Sequence, residues 1–170
     1  MFPKPKLPQE RQLTKSHIRF NMSIYIVAAK RTAFGSFGGS LKHLSATDLA
    51  VESTKAALAS CANLDPAMID SCFVGNVIQS SPDAAYLARH VALRSGCDVR
   101  TPSLTINRLC GSGFETVALA ANSIKLGESR IVIAGGSENM SAAPLNVSGN
   151  DARWGVALGK GLKMDDALWR

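Results

Sequence analysis

The sequence predicts an α/β fold in which a mostly parallel mixed sheet is covered by helices on both faces. Three observations predict it. Apolar, β-branched runs alternate with stretches of helical periodicity between Ser23 and Ala134, an order that calls for right-handed crossovers. Glycines such as Gly96, Gly127 and Gly135 fall at the joins between these stretches. Hydrophobic residues reach 46% while aromatics stay at 6%, so helices pack closely on a sheet through small side chains.

Taken in order, Ile24 to Ala29 is apolar and β-branched and reads as the first strand. The loop Lys30 to Ser40 follows, with Gly35, Gly38 and Gly39. Ser45 with Asp48 opens a helix through about Cys61 in the manner of a capping box, Asp replacing Glu. Its apolar face is Ala50, Val51, Thr54, Ala57 and Leu58. Asp65-Pro66 begins a short turn or helix. Cys72 to Ile78 reads as the second strand, and a long helix runs from Pro82 or Asp83 to about Arg94, stopped by Gly96. Ser103 to Ile106 is a short strand. A helix from about Gly111 to Leu126 follows, with Ala118, Leu119, Ala120, Ala121 and Ile124 leaving little polar face, so it is expected to be buried all round. Arg130 to Ala134 is expected to be a strand buried on both faces, with Gly135-Gly136 as a tight turn after it. Beyond Pro144 the periodicity dissolves. Three segments are therefore expected: residues 1–22 as a basic tail, 23–143 as the α/β domain, and 144–170 as the start of an incomplete loop domain.

The composition bounds the function. The 170 residues suffice for one domain with a real core. Of the net charge of +6, residues 1–22 carry +4. The rest shows no cluster of Lys and Arg interleaved with aromatics, which speaks against nucleic acid. No uncharged apolar stretch reaches the ~18 residues a membrane span needs. Cys61, Cys72, Cys97 and Cys110 form no C-x-x-C pair and His17, His43 and His90 are scattered, so neither a zinc site nor a disulfide framework is expected and the thiols are read as free. The segment before Met22 holds Pro3, Pro5 and Pro8 and lacks an apolar signal core. It is either an organelle-targeting segment or a plain tail, with Met22 as the functional start. Arg11 and His17 fall one residue short of a peroxisomal spacing.

Chemistry concentrates in Thr105-Ile106-Asn107-Arg108-Leu109-Cys110-Gly111-Ser112-Gly113-Phe114. Cys110 is placed between the end of a strand and the start of a helix, the edge where parallel sheets present their sites. A helix start offers free N–H groups and partial positive charge, which favour a thiolate and can hold an oxyanion. Gly111 and Gly113 leave room for a flat thioester or a pantetheine arm. The alternative is that Cys110 is a small core residue, as cysteine often is; Cys61, Cys72 and Cys97 lack the glycine setting and read as structural thiols. Gly135-Gly136 has no P-loop spacing after it. Asn107, Arg108 and Met140 either shape the site or pack, and His90, within a helix pattern, reads as structural.

The segment Asn107 to Gly113 resembles the acyl-enzyme cysteine signature of thiolases. Further blocks agree in order: Val27 to Gly35, Gly75 to Ser80, Tyr86 to Leu93, and Gly135-Gly136-Ser137-Glu138-Asn139-Met140-Ser141. Ala33 stands where many members have Pro. The wording is most similar to the mitochondrial 3-ketoacyl-CoA thiolases of fatty-acid β-oxidation. The resemblance implies a thiolase-like fold, with this chain as the first of two layered α/β/α halves. It implies an acyl-CoA:acetyl-CoA C-acyltransferase in which Cys110 forms an acyl-thioester, with Asn107, Gly111, Gly113 and Met140 supporting the site, in two half-reactions. Coenzyme A thioesters would be substrates: acyl-CoA, acetyl-CoA and CoA, with no bound cofactor and no metal. A homodimer or homotetramer is implied for the full-length form. The family's base histidine and second cysteine belong to Gly-His-Pro and Cys-Gly-Gly-Gly motifs, which do not occur in these residues, so the chain is expected to be incomplete and inactive alone. A mitochondrial location is expected, with cytoplasm or peroxisome as alternatives. Other readings are a non-catalytic truncated thiolase that binds a partner through the family's dimer surface, and an acetoacetyl-CoA thiolase working in the biosynthetic direction. A condensing ketoacyl synthase is disfavoured by the blocks around Gly75 and Gly135.

Overall fold

The computed structural model describes residues 23–169; the basic segment read above as tail or targeting signal lies outside the described residues. A parallel sheet of three strands forms the centre: β1 (Ser71–Gly75) lies between β2 (Ser103–Ile106) and β3 (Val132–Gly136). Because all three run the same way, Gly75, Ile106 and Gly136 end at one edge.

Helices α1 (Ala46–Ala59) and α2 (Leu87–Arg94) pack against one face of this sheet. The Ser45 hydroxyl accepts from the Asp48 N–H at 3.0 Å while the Asp48 carboxylate accepts from the Ser45 N–H at 3.0 Å, so the reciprocal cap expected from the sequence starts α1. The same carboxylate pairs with Arg94 of α2. Ala46, Ala50 and Val51 from α1 and Leu87, Ala88, Val91 and Ala92 from α2 close over Cys72 and Val74 as a dry core. Leu87 and Val91 are wholly buried.

Helix α3 (Ser112–Lys125) covers the other face. Its buried positions, Ser112, Thr116, Ala120 and Ser123, recur at helical spacing and face β1 and β3. Here the packing is by small and polar groups. The hydroxyls of Ser71, Ser129 and Ser123 form a buried chain, and the Thr116 hydroxyl donates to the Gly135 carbonyl. After β3, strands β4 (Leu145–Val147) and β5 (Met164–Asp166) pair antiparallel with each other around α4 (Gly149–Ala152).

Several expectations need correction. Ile24 to Ala29 forms no strand: Tyr25, Ile26 and Val27 are about three-quarters exposed. An open cleft of about 370 Å³ has this segment and the residues of β3 among its walls, together with α1 and α3. A pleated segment becomes a strand only when a neighbour takes its backbone hydrogen bonds, and among the described residues none is made to Ile24 to Ala29. β1 ends at Gly75 rather than Ile78: the Asn76 N–H still bonds to the Ile106 carbonyl, but the Val77 and Ile78 N–H groups go to the Glu138 carboxylate instead of a neighbouring strand. The second long helix begins at Leu87, after a single tight turn over Ala84–Tyr86 that follows Pro82. β3 is half-buried rather than enclosed, being an outer strand of the sheet. Gly135 and Gly136 are not a turn but the last two residues of β3, paired with Val74 and Gly75. Finally, α3 is not buried all round: Phe114, Val117 and Ala118 are exposed because no element among the described residues covers that flank.

Candidate active site

The site is built from the loop between β2 and α3. Two close approaches fix where α3 begins. A side chain on Gly75 would meet backbone and side-chain atoms of Ser112 at 2.8–2.9 Å, and one on Gly136 would come within 3.3 Å of the Gly113 Cα. Glycine at both strand ends therefore lets the first turn of α3 sit directly on the carboxyl edge of the sheet. Gly111 is the residue before that turn, and a Cβ there would press on the Phe114 ring at 3.0 Å and the Arg108 carbonyl at 3.3 Å. Open space surrounds the corresponding direction at Gly113.

Cys110 stands immediately before Gly111, exposed to solvent. The expectation that it precedes a helix start is met: α3 begins at Ser112, and the Gly113 and Phe114 N–H groups belong to its first turn, where no carbonyl of the helix can take them. They are donors available to an anion. The other thiols differ. Cys72 and Cys97 are buried; burial, with the neighbouring Cys97 adding to it, pushes the Cys72 thiol up to about 12, and burial raises that of Cys97 too. Neither can serve as a nucleophile near neutral pH. Cys61 is half-buried, with its sulfur near the Ala57 carbonyl at the end of α1.

The loop is held by its own side chains. Asn107 bonds in two directions: its amide donates to the Val77 carbonyl at 3.2 Å and its oxygen accepts from the Leu109 N–H at 3.0 Å. The Ser112 hydroxyl accepts from the Arg108 N–H at 2.8 Å and donates to the Leu109 carbonyl at 2.6 Å. Between these clamps Leu109 adopts φ of +50°, a left-handed conformation that costs a non-glycine residue ~1–3 kcal/mol and persists only where surrounding bonds enforce it. The Arg108 guanidinium pairs with Glu115 and lies over the Phe114 ring.

The structure thus brings Asn107, Cys110, Gly111 and Gly113 into one loop and helix start. Met140 lies apart in sequence but at the same sheet edge, exposed at the head of a short turn over Met140–Ala142 after β3. That turn is pinned by Asn139, whose amide donates to the Lys42 and Leu44 carbonyls, and by Ser141, whose hydroxyl accepts from the Gly38 N–H. His90 belongs to α2, on the far side of the sheet from α3. Leu109 and Ser112 were not singled out by sequence reasoning. Ser112 could have been, since a serine just inside a helix start often bonds back to the preceding loop; nothing in the sequence marks a leucine for a left-handed backbone. The cleft beside Ile24 to Ala29 is lined by other residues, and Cys110 is exposed. No group of His, Cys, Asp and Glu suited to a metal ion occurs among the described residues.

A cysteine just before a helix start on the carboxyl edge of a parallel sheet, with glycines where strand ends meet helix, points to a class, and comparison identifies it. The family described as "Thiolase, N-terminal domain" matches residues 24–170, and the chain belongs to the thiolase family. It is 50% identical over 146 residues to the mitochondrial 3-ketoacyl-CoA thiolase of Homo sapiens, covering 86% of this chain and 36% of that protein. Identity to the acetyl-CoA acetyltransferase of Escherichia coli is 43% over 143 residues, 84% of this chain and 36% of the relative. The crystal structure of human mitochondrial 3-ketoacyl-CoA thiolase in complex with CoA superposes with a TM-score of 0.78 at 50% identity, covering 84% of this chain and 35% of that one. The chain therefore spans about a third of the length of these relatives.

Proposed function

We propose that this chain carries the nucleophilic portion of a 3-ketoacyl-CoA thiolase of fatty-acid β-oxidation, and that Cys110 is the residue that becomes acylated. The sulfur attacks the keto carbon of a 3-ketoacyl-CoA. The bond between the α and β carbons breaks, its electron pair leaving with acetyl-CoA as an enolate that takes up a proton. The sulfur of free CoA then attacks the acyl-S-Cys110 thioester, the acyl group leaves as acyl-CoA, and the cysteine is regenerated. The Gly113 and Phe114 N–H groups are suited to an oxyanion in either half. Asn107, Gly111 and Gly113 shape the loop, and Met140 borders it.

One observation carries this reading: Cys110 is the exposed thiol, set one residue before Gly111 at the foot of α3 and behind a left-handed Leu109, while Cys72 and Cys97 are shut in the core. The 50% identity to mitochondrial 3-ketoacyl-CoA thiolases, against 43% to a bacterial acetyl-CoA acetyltransferase, favours the degradative over the biosynthetic reading and supports a mitochondrial location. CoA in the human structure supports CoA thioesters as substrates. The reaction also needs a base and an acid. Of the described histidines, His43 is exposed in the loop before α1 and His90 lies across the sheet from α3; on this reading the chain by itself is inactive and the active form of the enzyme is a homodimer or homotetramer. On this reading residues 23–143 are the catalytic α/β unit, and the β4–β5 hairpin begins a separate loop domain.

Iodoacetamide labelling near neutral pH, read by peptide mass spectrometry, tests the nucleophile. Cys110 is expected to react at least about tenfold faster than Cys61, as an activated thiolate does. Equal rates at the two positions would refute the assignment.

A further inference from the structure

We infer that Glu138 is a positioning residue for Cys110, acting through a relay of hydrogen bonds that joins the three loops at the carboxyl edge of the sheet. The inference rests on the reading of Cys110 as the nucleophile and goes beyond it, because Glu138 touches neither the sulfur nor the loop that bears it.

Glu138 follows β3 by two residues and is half-buried. Its carboxylate is filled by three N–H donors from the loop after β1. One oxygen accepts from the Val77 N–H at 2.9 Å. The other accepts from the Asn76 amide at 3.0 Å and from the Ile78 N–H at 3.2 Å. The buried Asn76 also donates to the Ser137 carbonyl at 3.0 Å. Hydrogen bonds to a charged acceptor are roughly twice as strong as neutral ones, so the peptides on both sides of Val77 are locked to the end of β3.

The Val77 carbonyl is then held in place to receive the Asn107 amide, and Asn107 in turn receives the Leu109 N–H. Leu109 is the residue held at φ +50° and is bonded directly to Cys110. Left to itself, Leu109 would relax to negative φ, and the peptide carrying Cys110 would rotate away from the α3 foot. Glu138 thus opposes that relaxation through two intermediates. Only an acceptor with two free oxygens suits the loop after β1. Glutamine would present an N–H₂ to at least one N–H donor, and alanine would leave three donors without a partner.

Two readouts on the full chain separate this inference from the reading beneath it. The first is amide hydrogen exchange at Leu109 to Gly111. Glu138→Gln and Glu138→Ala are expected to speed it about tenfold, the change that loss of one net hydrogen bond produces. The second is alkylation of Cys110 with Cys61 as internal reference. The same variants are expected to slow Cys110 about tenfold while Cys61 stays within about twofold, with Glu138→Asp recovering part of the loss. Because Glu138 is half-buried, Asn107→Ala provides a second break in the relay from an exposed position, and should reproduce both changes. A double variant should be no worse than the more impaired single one, since members of one relay do not add. Unchanged exchange in Asn107→Ala and in folded Glu138 variants, or full additivity in the double variant, would overturn the relay. Wild-type Cys110 no faster than Cys61 would instead overturn the nucleophile, and the exchange data would still decide the relay.

Discussion

The two faces of the sheet are built by opposite rules. Beneath it, α1 and α2 press Leu87, Val91, Val51 and Val74 into a dry core. Above it, α3 rests on glycine and serine: Gly75 against Ser112, Gly136 against Gly113, and a chain of hydroxyls from Ser71 to Ser123. The lower face buries aliphatic volume and so supplies stability. The upper face packs instead through strand-end glycines, whose missing side chains let α3 lie close, and through buried hydroxyls, so it fixes position. The Cys110 sulfur, placed by the upper face, inherits that precision without depending on how the lower core is filled. The cost is an outer flank of α3 where Phe114, Val117 and Ala118 remain exposed, an apolar surface of the kind that drives association.

The largest expected effect tests the lower face. Leu87→Ala removes a wholly buried side chain and should cost ~2–5 kcal/mol of stability in denaturant titration. In the fraction that remains folded, the ratio of Cys110 to Cys61 alkylation should hold. A changed ratio would mean that the two faces are not independent. The reverse pattern is expected of Gly75→Ala. Its new methyl would meet the Ser112 backbone at 2.8 Å, and strain of this type costs ~1–3 kcal/mol. The foot of α3 must shift, and Cys110 alkylation should fall about tenfold or more, in line with the sensitivity of reactive groups to displacement. An unaltered alkylation rate would show that close packing at the strand ends does not place the sulfur.

A smaller effect lies at the opposite edge of the sheet. The Asp70 carboxylate accepts from the Ile131 and Arg130 N–H groups at 3.0 and 2.7 Å, joining the starts of β1 and β3. These bonds, Ile131 first, hold its carboxyl below the ordinary value of 3.8. A carboxyl lowered in the folded state stabilises the fold above its unfolded value, and that contribution disappears as pH falls through the folded one. Stability should therefore drop as the medium is acidified below about pH 4, and Asp70→Asn should flatten that limb while leaving Cys110 alkylation at neutral pH as it was. An acid limb identical in the variant would remove Asp70 from the account.

What was legible in the sequence was what depends on neighbours along the chain. Ser45 and Asp48 are three residues apart and close their cap regardless of the remainder. Cys110 before a glycine-flanked helix start could be read in the same way. Where burial or pairing was inferred, the pattern alone misled. Ile24 to Ala29 has the composition of a strand but lies unpaired. Gly135 and Gly136 looked like punctuation, yet they are strand residues whose missing side chains admit α3. The α3 helix has the composition of an enclosed helix and is covered on one side only.

The amino-acid order by itself determined the alternation of helix and strand from α1 to β3, the Ser45–Asp48 cap and the placement of Cys110 at a helix start, because periodicity, capping and glycine spacing act within a few residues. Tertiary structure decided the rest. It brought Glu138 to Val77 across 61 positions and Asn107 to Val77 across 30, and it turned Leu109 to a backbone angle that leucine does not choose. Such contacts arise only when three strand ends converge, and no local pattern encodes which loops will then meet.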